Sequence, residues 1–249
     1  MKKEIFCKKL VIVLLMVVVV SCSNDDDSNT VPTPSVEEDF DITETTATYD
    51  DVLEQIVMTI DVEGVAGNTV PTPVGQIDGA PVLGYVFPTS LNSDDVGFGN
   101  VTGIVAMALT SHPDFDDTPL WDENNDANYL NDGIVWHPHW VLLNEDSRVE
   151  GNLSVIQFDP NDVSIVLPPT NPGMPMYMDS PGFQVIQNGN SIKVVFPATA
   201  VRNVTDFSFD AVTALLRVNT SDTSLPLLGV YEVYDVASGD LSLPYTVQN

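Results

Sequence analysis

Apolar and polar residues alternate with a spacing of two along much of the chain. Ile56, Met58, Ile60 and Val62 are interleaved with Val57, Thr59 and Asp61, which gives an extended strand one apolar and one mostly polar face. The same alternation runs through Val163, Ile165 and Leu167, and through Val212, Ala214, Leu216 and Val218. The segment FQVIQNGNSIKVVF (183–196) places two β-rich runs around Asn188-Gly189, a pair that tolerates positive φ and so marks a hairpin. GIVAMALT (103–110) is apolar on both faces and predicts a buried central strand. Prolines and glycines interrupt the pattern throughout. No long amphipathic helix is apparent, and residues 50–55 form at most a turn. Many short strands with turns between them predict an all-β fold, an antiparallel β-sandwich with an open β-barrel as the alternative.

The N-terminus follows a different pattern. Lys2, Lys3, Lys8 and Lys9 precede an apolar run from Leu10 to Val20, shorter than the ~20 apolar residues a membrane span needs. A basic start, a short apolar middle and the break Val19-Val20-Ser21-Cys22 describe a secretory signal. These residues resemble a bacterial lipobox, which implies that Cys22 is acylated and becomes the first residue of the mature chain. Ser23-Asn24-Asp25-Asp26-Asp27-Ser28 follows and resembles the acidic export tag of Bacteroidota surface lipoproteins. The resemblance covers about the first 28 residues. It implies an outer-membrane protein anchored through Cys22 and displayed at the cell surface, with the periplasmic face as the alternative.

The expected organisation is a signal peptide over 1–21, a lipidated and disordered acidic tether over 22–45, and one β-domain over 46–249. The tether is rich in acid, Ser/Thr and Pro. No second linker and no internal repeat divides the remainder. Cys7 leaves with the signal and Cys22 carries lipid, so no thiol remains for a disulfide, a thiolate metal site or a nucleophile.

The net charge of −28 becomes −31 once segment 1–21, with four lysines and one glutamate, is removed. Arg148, Lys193, Arg202 and Arg217 are then the only basic residues. Such a surface repels a phosphate backbone, which excludes nucleic-acid binding. Excess acid otherwise serves solubility or attracts divalent cations.

The chemistry concentrates in one segment. All three histidines (His112, His137, His139) and all three tryptophans (Trp121, Trp136, Trp140) lie between 112 and 140. If GIVWHPHWVLL is a strand, His137 and His139 share one face and Trp136, Pro138 and Trp140 the other. Pro138 cannot donate to a ladder, which predicts an edge or bulge with accessible side chains. Antiparallel pairing with the strand ending before His112 would make 112–133 the connecting loop and return His112 to His137. Three imidazoles then converge, with Asp114, Asp116 or Asp117 as an oxygen ligand. That set suits a divalent transition metal such as Zn or Cu; the competing reading is a local hydrogen-bonded pair of histidines. Gly133, His137, His139, Glu145 and Gly151 resemble the order of the first cupin motif. Gly133 is too near His137, Glu145 is too far past His139, and no histidine follows residue 139, which argues against a cupin enzyme.

In the loop, Asp122, Asn124, Asp126 and Asn128 alternate, with Asp132 beyond. Alternating oxygen ligands are what a calcium loop needs, and these positions resemble EF-hand and thrombospondin-type loops. Ala127 stands where the glycine belongs and Gly133 where the bidentate glutamate belongs, so a plain polar loop is the alternative. Met174, Met176 and Met178 also alternate. Thioethers in that pattern either fill a core or bind copper; core packing is the expectation.

The chain has no Gly-x-Ser-x-Gly elbow, phosphate loop or His-Glu-x-x-His motif, so enzyme chemistry, if there is any, would depend on metal. The sequence therefore points to a surface lipoprotein that binds or presents metal through the histidines, with calcium in the 122–132 loop. The alternative is a calcium-stabilised adhesion module, where Trp121, Trp136 or Trp140 stacks on a glycan or contacts a protein.

Overall fold

The computed structural model describes residues 37–115, 127 and 134–249. These form thirteen strands: β1 (Ile42–Asp50), β2 (Gln55–Val62), β3 (Pro81–Pro88), β4 (Ile104–Ser111), β5 (His137–Glu145), β6 (Leu153–Val155), β7 (Met178–Asp179), β8 (Gln184–Asn188), β9 (Ser191–Pro197), β10 (Ser208–Phe209), β11 (Val212–Val218), β12 (Leu228–Val236) and β13 (Tyr245–Thr246). Two short 3₁₀ turns, Ser93–Val96 and Ala198–Val201, accompany them. The fold is all-β and its sheets are antiparallel.

The architecture combines a face-packed sheet with a barrel that is closed rather than open. Strands β3, β4, β5, β6, β12 and β11 close on themselves, because β4 pairs with both β3 and β5. A separate sheet in the order β1-β2-β9-β8 packs face to face on one wall of that six-stranded barrel. Side-chain size separates the two faces of the wall. In β3, Val82, Gly84 and Val86 alternate with Leu83, Tyr85 and Phe87. The smaller set faces the lumen with Ala106, Ala108, Val212 and Ala214, and the larger set packs outward with Met107, Leu109 and Trp140. A six-stranded lumen is narrow, and small residues are what it accommodates. Outside, Met58, Ile60, Val194 and Phe196 of the second sheet complete the larger core, with the Trp140 and Phe196 rings edge-on at 5.7 Å.

Several expectations hold in detail. β4 is buried from Val105 to Ser111 and lies between two partners. Residues 51–54 form a turn. The β8–β9 hairpin pairs Asn188 with Ser191, and Gly189 supplies φ +63° in its two-residue loop.

Two expectations do not hold. The tether does not extend to Thr45: β1 starts at Ile42, and Asp39 and Phe40 are each 1% exposed. Phe40 stacks on Tyr85 and Tyr234 at 5.4 and 4.8 Å. The threonines of ITETTATYD, which suggest a linker by composition, are good residues for an edge strand. The second correction concerns Val163, Ile165 and Leu167, which form no strand; Val163 is fully exposed. Asp162 there accepts from the Ser164 N–H and hydroxyl at 2.9 and 2.7 Å. Its own carbonyl accepts from the Ile165 N–H. Local bonds of this kind compete with a sheet ladder, and prolines at 160, 168 and 169 reinforce them.

A buried polar chain fastens the start of the domain to the barrel wall. The Tyr85 hydroxyl donates to the Asp39 carbonyl at 2.7 Å and accepts from the Gly67 N–H at 2.9 Å. Trp136 Nε1 donates to the Gly67 carbonyl at 2.9 Å. The Asp39 carboxylate accepts from the Val65 N–H and the Thr69 hydroxyl. The residue before His137 is thus held by a network that begins almost a hundred positions upstream.

The β5–β6 connection is tied by Asp146, which accepts from the Arg148 backbone N–H, Nε and Nη2, and from the Ser154 hydroxyl. The Arg148 guanidinium holds the Asp146 carboxyl well below the usual carboxylate range. A depressed carboxylate contributes stability that is present above its unfolded value and lost as pH falls towards the folded one. Arg148 is half exposed, so the effect is modest. Between pH 5 and pH 3 the thermal midpoint of the native chain should fall more steeply than that of Asp146→Asn, measured by circular dichroism. Parallel curves would show that the pair does not contribute.

Candidate metal centre

β5 places the histidines. It pairs antiparallel with β4 in a register that sets His139 opposite Ala108 and His137 opposite Thr110. Ala108 faces the lumen, so His139 does as well. His112, one residue past the end of β4, comes back over the same end of the barrel. The pairing anticipated between the strand before His112 and the His-x-His strand is therefore present, and it brings the three imidazoles together. His112, His137 and His139 are 1%, 0% and 2% exposed. Each offers one ring nitrogen, and the three atoms lie within 4.8 Å of one another.

The Nδ1 atoms are held from behind. His112 Nδ1 is 2.8 Å from the Phe115 carbonyl, and His137 Nδ1 is 2.6 Å from the Val135 carbonyl. A carbonyl only accepts, so both Nδ1 atoms carry hydrogen. That leaves each Nε2 with a lone pair, and the two Nε2 atoms approach to 2.9 Å. Two lone pairs at that distance repel unless a cation lies between them, either a proton or a metal. His139 Nδ1 meets the Ser180 hydroxyl at 3.0 Å and the Asp179 carbonyl at 3.3 Å. Rings fixed through one nitrogen, with the other turned inward, are the usual arrangement around a metal. The His112 ring also stacks on Phe115, centroids 4.2 Å apart and planes within 7°.

No protein-family model, curated protein or solved structure matches this chain. The site is therefore read from its own chemistry.

The strand carrying the histidines is neither exposed nor at a sheet edge. β5 lies between β4 on one side and β6 and β7 on the other, and it is buried from His137 to Leu143. Pro138 is tolerated because it precedes Trp140 and Val141, the residues that β7 pairs. The missing donor thus sits at the barrel rim.

Asp114 does not join the histidines. Its carboxylate accepts from the Val74 and Gly75 N–H groups at 3.1 and 2.7 Å, and the clustered ligand atoms among the described residues are all imidazole nitrogens. Asp116, Asp117, Trp121, Asp122, Asn124, Asp126, Asn128 and Asp132 lie outside the described residues, as does Cys22. Trp136 and Trp140 are 3% and 1% exposed, so neither ring offers a stacking face to a ligand. Both pack in the core between barrel and sheet. Met176 and Met178 are buried in the lumen, with Met174 against them, as the core-packing expectation requires.

Three residues at the centre carried no signal in the sequence. Ser180 and Asp179 arrive through the short β7 pairing. Burial pushes the Asp179 carboxyl above the usual carboxylate range, against the hydrogen bond it accepts from the Thr170 hydroxyl at 2.7 Å. Thr110 is buried on the lumen wall opposite His137, and its Oγ1 has no hydrogen-bond partner among the described residues. A buried polar group in that state costs about 1–3 kcal/mol.

The Nδ1 contacts set the tautomer. Long-range ¹H–¹⁵N correlation spectra of the metal-free protein should show hydrogen on Nδ1 of both His112 and His137. A spectrum with hydrogen on Nε2 alone at either ring would contradict the geometry.

Proposed function

We propose that this is a surface-anchored lipoprotein that binds or presents a divalent transition metal, zinc or copper, through His112, His137 and His139 rather than catalysing a reaction. The observation that carries the metal reading is the 2.9 Å approach of two Nε2 atoms whose Nδ1 partners both face carbonyls. Imidazole nitrogens in this number suit zinc and copper. Two nitrogens at a Zn–N distance of about 2.0–2.1 Å and this separation subtend about 90° at the ion. A small opening of the pair brings them to the tetrahedral value. Complete burial of the three rings favours holding the ion over exposing it in an open catalytic cleft. The adhesion alternative is weakened by the burial of Trp136 and Trp140.

The decisive experiment is metal content by mass spectrometry on the whole chain, purified in detergent and dialysed mildly, beside a His137→Ala/His139→Ala double variant. We expect about one zinc or copper per chain in the native protein and none in the variant. Calcium alone, unchanged by the substitutions, would defeat the histidine reading.

The anchor rests on the resemblance of residues 1–28 to lipoprotein signals. Labelled palmitate fed to expressing cells should enter the native chain and not Cys22→Ala. Surface protease should then cleave the native protein in intact cells; label in both forms would refute the assignment.

A further inference from the structure

The barrel is not completely filled. Its lumen holds a cavity of about 90 Å³, roughly the liquid volume of three waters. Its wall is made by Val82, Ala108, Val141, Ala214, Met176, Met178 and other apolar side chains. The polar side chains on it are His112, His139 and Thr110. These gather at one end, where β4 runs out at Ser111 and β5 begins at His137. An apolar cavity of this kind stays dry and accepts small apolar guests. Thr110 adds an independent observation: a hydroxyl 5% exposed, on the lumen wall, with no hydrogen-bond partner among the described residues.

From these two features we infer that the lumen is a binding site for a small, uncharged, mostly apolar molecule with one oxygen-bearing end. The apolar part lies among Ala108, Ala214 and the methionines, and the oxygen meets the Thr110 hydroxyl, which can both donate and accept. Away from the histidines the lining carries no charged side chain, so the body of the guest is uncharged. Size limits the guest to a few heavy atoms, the class of short-chain alcohols and ketones. The guest enters at the end away from the histidines. There a solvent-facing recess of about 330 Å³ shares Pro88, Leu143, Leu153 and Leu241 with the lumen, and Leu241 is partly exposed with φ +58°.

The site does not depend on the metal, so the test uses the whole chain stripped of metal by chelation. The probes are 1-butanol and xenon, and the readout is the ¹³C-methyl signals of methionine. Met176 and Met178 line the lumen, whereas Met58 and Met107 lie in the other core and report on folding. Both probes should shift Met176 and Met178 saturably and leave Met58 and Met107 in place. Ala108→Leu fills the cavity and should abolish both effects; Ala214→Leu serves if that variant does not fold. Thr110→Val should weaken butanol about tenfold, the worth of one hydrogen bond, and leave xenon unchanged. Absence of a saturable shift, or a shift that survives both filling variants, would overturn the site. Equal butanol affinity in Thr110→Val would overturn the placement of the oxygen.

Discussion

The pairing of β4 with β5 is the contact on which the rest of the structure depends. It is one of the pairings that close the barrel, and its register decides what faces inward. Side chains on a strand alternate with a period of two. Setting Ala108 against His139 and Thr110 against His137 therefore sends the imidazoles to the lumen side and Trp140 to the outer core. A slip of one residue would exchange the two sets. It would put tryptophan into a lumen built for alanine and valine, and histidine against Phe196. The packing on both faces of this wall enforces one register, and that register makes the centre.

Closure also explains how a polar cluster exists in a chain with little to support it. The lumen is lined mainly by apolar side chains, so the rings find their polar partners at its end, in protein groups. The carbonyls of Phe115 and Val135 and the hydroxyl of Ser180 provide these from behind. The Asp39–Tyr85–Gly67–Trp136 chain then holds the backbone just before His137. The centre is thus braced from the N-terminal segment, from β3, and from the β7 segment through Ser180. Among the described residues no carboxylate joins it, and Asp114 is turned to the Val74–Gly75 backbone.

The same narrow lumen has a second consequence. Small side chains allow six strands to close, yet they do not fill the space between them. Alanines at 106, 108 and 214 leave room that larger residues would have occupied, while the methionines at 176 and 178 occupy part of it. A core made of small residues next to a ring of imidazoles differs from the outer core, where Tyr85, Phe87, Trp140 and Phe196 pack ring against ring.

The all-β class was legible in the sequence because period-two alternation is local and needs no partner. The hairpin at 183–196 and the shared face of His137 and His139 were legible for the same reason. Even the return of His112 could be foreseen, since two consecutive strands joined by one loop commonly pair. Alternation does not say whether an apolar stripe will find a partner, and so Val163, Ile165 and Leu167 read as a strand while local aspartate turns and prolines hold them in a loop. Composition misplaced the tether, because Phe40 is buried by aromatic rings from strands far along the chain. It likewise could not show that a proline-containing strand would be covered on both sides. Residue types and spacings determined the fold class and the three imidazoles that meet. Barrel closure alone decided that they are buried, that Ser180 and Thr110 stand beside them, and that Asp114 does not, because these depend on contacts between strands distant in sequence.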